Sequence, residues 1–318
     1  MTTQQIEYIL TLAEKKSFSQ AAAALYITQP ALSKFIIGIE EQLGAKLFDR
    51  SSTPIQLTQA GEIYVEKAKK IQMLKNDLVN EISDLGELKA GTLTIGTTPF
   101  RGSCLLPKSI AAFHKKYNGI SVHISEVSQT ELEKDIISGR LDVAISSTTP
   151  NIKIFHYEVL SQEKLYLAVS KDNPINEYIF SKKLTADDII RGHDYNKAID
   201  LSMFANENFI RLESSELIDS IAVKLCENAG FTPNTILKTA YLETAFSFVL
   251  ANMGVTFIPD SYIKFGNCEN HPYYYSINDD LSYMNIMLIS KRNRYLTRAA
   301  REYSLILKQL IGIGTWKS

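Results

Sequence analysis

Residues 17–61 read SFSQAAAALYITQPALSKFIIGIEEQLGAKLFDRSSTPIQLTQAG, and their pattern predicts two helices joined by a very tight turn. The small residues 21–24 let these helices approach each other closely. Thr28 is a good N-cap for the second helix, whose first turn tolerates Pro30 because the early amides have no intrahelical partners. The inner side of this helix is predicted from four apolar residues at helical spacing, Leu32, Ile36, Ile39 and Leu43.

The flanking sequence completes a small winged domain over residues 1–58. A first helix is predicted from apolar residues at helical spacing, Ile6, Ile9, Leu10 and Ala13. Ser19 is a suitable N-cap for the second helix, and Gly44 can end the third in the left-handed conformation. The segment LFDRSSTPIQLT predicts two short extended pieces around a Ser-Ser-Thr-Pro turn. We therefore expect an N-terminal all-α winged helix-turn-helix.

The opening turn of the third helix presents Gln29, Ser33 and Lys34 on its outer side. A recognition helix needs polar side chains at this place to reach base edges and phosphates in a DNA major groove. The alternative is a helix face that is merely solvated.

A long linker helix is expected over residues 59–89. Thr58 can cap it, and no proline follows before Pro99. The helix has a narrow apolar seam with charged residues on both sides. The seam consists of Ile71, Leu74, Leu78, Ile82 and Leu85. The neighbouring chain is too short to bury this seam, so pairing with a second copy is favoured over packing on its own domain.

From residue 90 the pattern changes to alternating strands and helices, which indicates an α/β domain over residues 90–318. The candidate strands are TLTIGTT, ISVHISEV, LDVAIS, KLYLAVS, NFIRL, NTILK and VTFIP. We expect two lobes: lobe 1 from about 90–161 and 266–318, and lobe 2 from about 162–265. A ligand cleft is predicted between the lobes, where strand ends and helix starts converge.

The composition is that of an ordinary soluble protein. The 318-residue chain holds 34 basic and 35 acidic residues, a net charge of −1, so DNA binding has to rest on local geometry. No long apolar run and no N-terminal signal pattern is present, so we expect no membrane partner and a cytoplasmic location. The widely spaced cysteines Cys104, Cys226 and Cys268 predict neither a disulfide framework nor a zinc site.

The chain closely resembles the LysR-type transcriptional regulators. The match consists of Ser-Phe-Ser, paired alanines, Gln-Pro-Ala-Leu-Ser, Leu-Gly, Leu-Phe-x-Arg and Leu-Thr-x-x-Gly within residues 17–61, without insertions. The remainder resembles the family's effector domain more loosely, through LTIG near residue 95, GRLDVAI at 139–145 and VLANMGVTFIP. The resemblance implies a two-lobed, periplasmic-binding-protein-like effector domain and a homodimer or homotetramer that binds double-stranded DNA.

Carried over by position, the resemblance implies a DNA-facing set, Thr28, Gln29, Pro30, Ala31, Ser33 and Lys34. Arg50 is expected to support either a backbone contact or the wing itself. Phe35, Ile37, Gly38 and Thr53 stand where the family usually has polar or basic residues. Residues 1–60 contain five basic and five acidic side chains, so we expect modest affinity and a shallow salt dependence.

For the effector domain, the resemblance implies a site after the first strand, at Thr97, Thr98 and Arg101, which could receive a polar or anionic ligand. Ser128 and Gln129 match another effector-contacting position of the family, and Ser202 is expected to contribute from lobe 2. Helix capping or solvation is the alternative for each of them. A small-molecule effector is expected, of a chemistry that the sequence does not identify.

Catalysis finds little support, because the histidines are scattered and no nucleophile, metal or cofactor motif is present. No cofactor is expected. The family also contains a peroxide sensor with a reactive cysteine pair in the second lobe, but residues 190–225 hold no cysteine here. The main competing class is a soluble small-molecule-binding protein without a DNA role; the predicted residues 1–89 and the missing signal pattern count against it.

Overall fold

A computed structural model describes residues 2–84, 91–193, 197–213, 217–266 and 268–312 of the chain. The chain divides into two compact units. The first is Met1–Leu85 with Ser138–Arg140, and the second is Gly86–Ile137 with Leu141–Ser318.

The first unit contains a helix-turn-helix with a small wing, followed by a long helix. Its elements are α1 (Thr3–Lys15), α2 (Phe18–Ala24), α3 (Gln29–Leu43), β1 (Phe48–Asp49), β2 (Gln56–Leu57) and α4 (Gln59–Ser83). The axes of α2 and α3 are bent by 103° from each other, within the range of about 90–120° that helix-turn-helix motifs show. The predicted winged helix-turn-helix is confirmed.

Local capping explains where these helices begin and end. The Thr28 side chain accepts a hydrogen bond from the Ala31 amide, and Gly44 ends α3 with a φ of 66°, a conformation that costs glycine little. The predicted cap of α2 was wrong: Ser17 caps this helix through the Gln20 amide, and Ser19 lies within the helix. The prediction failed because two serines at neighbouring positions both precede the alanine run.

The core of this unit collects the apolar faces of α1, α2 and α3 with the wing. Leu32, Ile36 and Ile39 on α3 are buried as predicted, whereas Leu43, the last residue of the predicted stripe, is 49% exposed. The stripe therefore ends one turn early, where the helix emerges toward its C-terminal cap.

The long helix α4 starts as predicted, because the Thr58 hydroxyl accepts a hydrogen bond from the Gly61 amide at 3.0 Å. Its apolar seam is open to solvent in the single chain. The exposed members are Ile71, Leu74, Leu78 and Ile82, each between 42% and 64% exposed. Leu85, the fifth predicted member, lies outside the described residues.

The second unit alternates strands and helices. Its elements are β3 (Gly91–Thr97), α5 (Pro99–Lys116), β4 (Ile120–Glu126), α6 (Gln129–Ser138), β5 (Val143–Ser146), β6 (Phe155–Val169), α7 (Ile175–Tyr178), α8 (Ala186–Ile190), β7 (Ala198–Ile199), β8 (Asn208–Leu212), α9 (Leu217–Asn228), β9 (Asn234–Thr239), α10 (Leu242–Leu250), β10 (Thr256–Pro259), α11 (Asp260–Phe265), β11 (Tyr273–Ile277), β12 (Tyr283–Lys291) and α12 (Arg298–Gly312). Every predicted strand overlaps one of these strands, with ends that differ by at most two residues where the prediction runs beyond the strand.

One long strand, β6, runs through both lobes. Its first part, residues 155–164, pairs antiparallel with β12, and its last part, residues 165–169, pairs with β10 and β11. The sheet order is β4-β3-β5-β12-β6-β11-β7, and β8 pairs in parallel with β9 in a separate small sheet. The two lobes thus share a continuous backbone connection through β6.

The chain returns to the first lobe later than predicted. β11 (Tyr273–Ile277) pairs with the second-lobe part of β6, although residue 266 was the expected start of the return. The aromatic segment YYYSI was not among the candidate strands, although tyrosine and isoleucine favour strands. β12 is the strand that re-enters the first lobe.

Among the described helices, none is by itself long and apolar enough to span a membrane; by length and composition alone, only the bent pair α2 and α3 passes together.

Candidate functional site

The opening turn of α3 is directed to solvent. Gln29, Pro30, Ala31 and Lys34 are exposed, and Ser33 is half-buried. Leu32 of the same turn is fully buried in the core, so the helix is held by its inner side while its outer side stays open. This is the arrangement that a recognition helix requires.

A buried acidic residue further along α3, Glu40, was not predicted from the sequence. It is 2% exposed. Its carboxylate accepts hydrogen bonds from the amides of Leu47 and Phe48 at 2.8 and 3.2 Å. A buried carboxylate needs such partners because desolvation of its charge is costly. Glu40 therefore joins α3 to the first wing strand.

Arg50 completes the same connection. Its guanidinium donates to the Glu40 carboxylate at 3.1 Å and to the Ser33 hydroxyl at 3.4 Å, and it lies 5.0 Å from the centre of the Phe18 ring. Of the two roles expected for Arg50, the internal contacts favour support of the wing. The sequence contained no pattern that pairs Arg50 with Glu40.

A cleft of about 60 Å³ lies between the two lobes of the second unit. The first lobe contributes residues 98–101, Gln129, 146–148 and Met284, and the second contributes Leu212, 217–218 and 240–243. Apart from Met284, which lies in β12, these segments follow the carboxyl ends of β3, β4, β5, β8 and β9, where ligand sites of α/β sheets are found.

The structure brings some of the predicted effector residues to this cleft and not others. Thr98, Arg101 and Gln129 line it. Thr97 is fully buried beside it, with a hydroxyl that has no hydrogen-bond partner in the described part of the chain. Ser128 does not line the cleft; its hydroxyl bonds to Glu131 at the start of α6 at 2.8 Å.

Ser202, the residue predicted from the second lobe, also lies outside this cleft. It is exposed in a short 3-10 turn, where its amide donates to the Asp200 side chain at 3.0 Å. The second-lobe wall is formed by the starts of α9 and α10 instead. Their position was missed, although the rule that strand ends meet at the ligand site applies to the predicted strands NFIRL and NTILK as well.

Arg101 has its charge occupied within the protein. It is 4% exposed, and its guanidinium is bound to the carboxylate of Glu163, which is 1% exposed, and to the Ser147 hydroxyl. Glu163 also accepts a hydrogen bond from the Ser261 hydroxyl at 2.6 Å. This buried pair connects α5, β6 and α11 at the floor of the cleft.

Two of the cysteines, Cys104 and Cys226, are unsuited to peroxide chemistry. Burial is the main cause that raises the pKa of both Cys104 and Cys226 to about 12, so neither thiol forms the reactive thiolate at neutral pH. In the described ranges, no group of three or more histidine, cysteine, aspartate or glutamate residues is placed to hold a metal ion.

Two family models match the chain. Residues 3–62 match the bacterial regulatory helix-turn-helix protein, lysR family, and residues 86–310 match the LysR substrate binding domain. The chain therefore belongs to the LysR family. It is a LysR-type DNA-binding transcriptional regulator with an effector-binding domain, and not an enzyme, which confirms the predicted function and fold class and removes the solute-binding alternative.

Individual proteins agree with this assignment. Over 308 residues the chain is 29% identical to the uncharacterized HTH-type transcriptional regulator YcgK of Bacillus subtilis (strain 168), covering 95% of this chain and 93% of that protein. It is 28% identical over 259 residues to the DNA-binding transcriptional dual regulator OxyR of Escherichia coli (strain K12), with 81% and 79% covered. The fold matches full-length CbnR, crystallised in complex with its target DNA, with a TM-score of 0.64 at 19% identity and coverage of 97% and 99%.

Proposed function

We propose that this regulator binds a dyad-symmetric DNA site as a homodimer or a pair of dimers, with the first turn of α3 in the major groove of each half-site. Gln29 and Ser33 then face base edges, and Lys34 faces a phosphate. Thr28, Pro30 and Ala31 begin the helix, and their small side chains allow the protein backbone to approach the DNA closely. The observation that carries this proposal is the contrast between exposed Gln29 and Lys34 and buried Leu32 within one turn.

The open seam of α4 supports the dimer. Leu74 and Leu78 are 64% and 59% exposed in the single chain, and apolar residues at this spacing are buried efficiently by a parallel or antiparallel partner helix. Pairing through α4 joins two DNA-binding units in one molecule, as a dyad-symmetric site requires.

The cleft between the lobes is proposed as the effector site, with Thr98, Arg101 and Gln129 among its walls and Thr97 beside it. A ligand that closes the lobes changes DNA contacts only through different affinities for the two arrangements of the subunits. Because the partner is DNA, the proposed location is the cytoplasm.

The test uses electrophoretic mobility shift and footprinting with the DNA upstream of the chain's own gene. The variant carries Ser33→Ala and Lys34→Ala, and Lys75→Ala, an exposed lysine on α4, is the control. We expect the double variant to lose about tenfold or more in affinity, with the control unchanged. An unchanged affinity and footprint in the double variant would remove the recognition-helix assignment.

A further inference from the structure

The charged side chains at the cleft between the lobes include one more carboxylate than guanidinium. Of the described residues that line it, Arg101 is the basic side chain and Glu243 is the acidic one. The guanidinium of Arg101 is already paired with Glu163. The carboxylates of Glu163 and Glu243 together exceed the single guanidinium of Arg101 by one negative charge. This charge lies on the wall that Glu243 forms.

The carboxylate of Glu243 has room for a further partner. It accepts one hydrogen bond, from the Ser103 hydroxyl at 3.1 Å, and no lysine or arginine in the described ranges forms a salt bridge with it. A carboxylate offers about four lone-pair positions. Burial is the main cause that raises the pKa of the nearby Cys104 thiol; the charge of Glu243 also raises it, and the Ser103 hydrogen bond and the charge of Arg101 lower it.

An aromatic residue lines the same cleft as this carboxylate. Tyr241 lines the same cleft immediately before α10, two residues from Glu243, and is 55% exposed. Aromatic rings and carboxylates are the groups that proteins use to bind ammonium ions. Both are presented by the start of one helix.

The opposite wall contains a buried donor without a partner. The Gln129 Oε1 accepts a hydrogen bond from the Ser146 hydroxyl at 3.0 Å, which leaves the amide nitrogen, Nε2, buried and without a partner among the described residues. Such a donor is costly to leave unsatisfied, so it calls for an acceptor atom. The space between the two walls is bordered by apolar side chains, Leu212, Leu217, Ile218, Leu242 and Met284.

We propose that the effector is a small organic ammonium compound. Its ammonium group binds Glu243 and Tyr241, an uncharged oxygen accepts from Gln129 Nε2, and a short apolar body fills the space between them. In this proposal a carboxylate ligand would meet the Glu243 carboxylate and no available cation, so an ammonium compound takes the place of the polar or anionic ligand expected from the sequence. This proposal rests on the proposed use of the cleft as the effector site.

The test compares three probes with one four-carbon skeleton: n-butylamine, butyramide and butyrate. Their size suits a cleft of about 60 Å³, which has room for about four to six waters. Thermal unfolding of the full chain is followed against probe concentration at pH 7.5 and constant ionic strength, where an alkylamine is protonated like a lysine. We expect butylamine to bind about tenfold or more tightly than butyrate, with butyramide between them.

The variant Glu243→Gln should reduce this preference to about threefold or less, and Tyr241→Ala, at an exposed position, should weaken butylamine about threefold to tenfold. Glu227→Gln, an exposed carboxylate on α9 outside the cleft, should behave as the natural chain. Four results would overturn the proposal. They are equal binding of the three probes, a preference for butyrate, no stabilisation by any probe, and an amine preference that survives Glu243→Gln. The DNA test above uses no ligand, so failure here leaves the DNA-binding role standing.

Discussion

At the scale of single residues, the pairing of Arg101 with Glu163 changes the chemistry expected of the effector site. The sequence predicted that Arg101 lies near the ligand because it follows the first strand of the α/β domain. Its partner is 62 residues away on β6, and no local pattern joins the two positions. Burial then makes the pairing necessary, because a guanidinium that is 4% exposed has to be compensated.

Removing the negative partner should therefore destabilise the effector domain. Glu163→Gln leaves the buried guanidinium of Arg101 without a compensating charge, and we expect the free energy of unfolding to fall by about 3–5 kcal/mol in denaturant titrations. Glu158→Gln on the same strand removes a carboxylate that is 41% exposed and paired with Lys308, and its cost should stay below about 1 kcal/mol. Similar costs for the two variants would contradict this account of the buried pair.

At the scale of elements, apolar periodicity and capping residues were sufficient to predict a helix where the residues that define it are close together in the chain. The caps at Thr28, Gly44 and Thr58 and the start of α4 were predicted from a few residues each. The strand Tyr273–Ile277 was not predicted, because three consecutive tyrosines show no alternation of polar and apolar residues, although their type favours a strand. The starts of α9 and α10 were found as helices, but their place at the cleft depends on the sheet that positions them.

The seam of α4 gives a prediction about assembly. Leu74→Glu with Leu78→Glu places carboxylates on the apolar seam, and each buried leucine contributes about 1.5–3 kcal/mol. We expect the dimer dissociation constant, measured by sedimentation, to rise about 100-fold or more. Asn76→Glu, which adds a negative charge at an exposed position on the opposite side of the helix, should leave the dimer largely intact. An unaltered dimer in the double variant would show that another surface joins the subunits.

At the scale of the whole molecule, the resemblance in residues 17–61 and the alternation after residue 90 were enough to predict the regulator class and its two-lobed effector domain. The chemistry of the cleft could not be predicted, because its walls come from five strand ends spread from residue 97 to residue 239. Which carboxylate stays unpaired is decided only when these segments meet. The expected shallow salt dependence of DNA binding stays a prediction.

The most direct measurement of the central claim is DNA binding by the natural chain and by Gln29→Ala against an operator in which each base pair is substituted in turn. Glutamine reads adenine through two hydrogen bonds in the major groove. The natural chain should lose about 1–3 kcal/mol at one A·T pair in each half-site, and Gln29→Ala should lose that preference while keeping the others. If the variant keeps the full preference at every position, the first turn of α3 does not read DNA and the account is wrong.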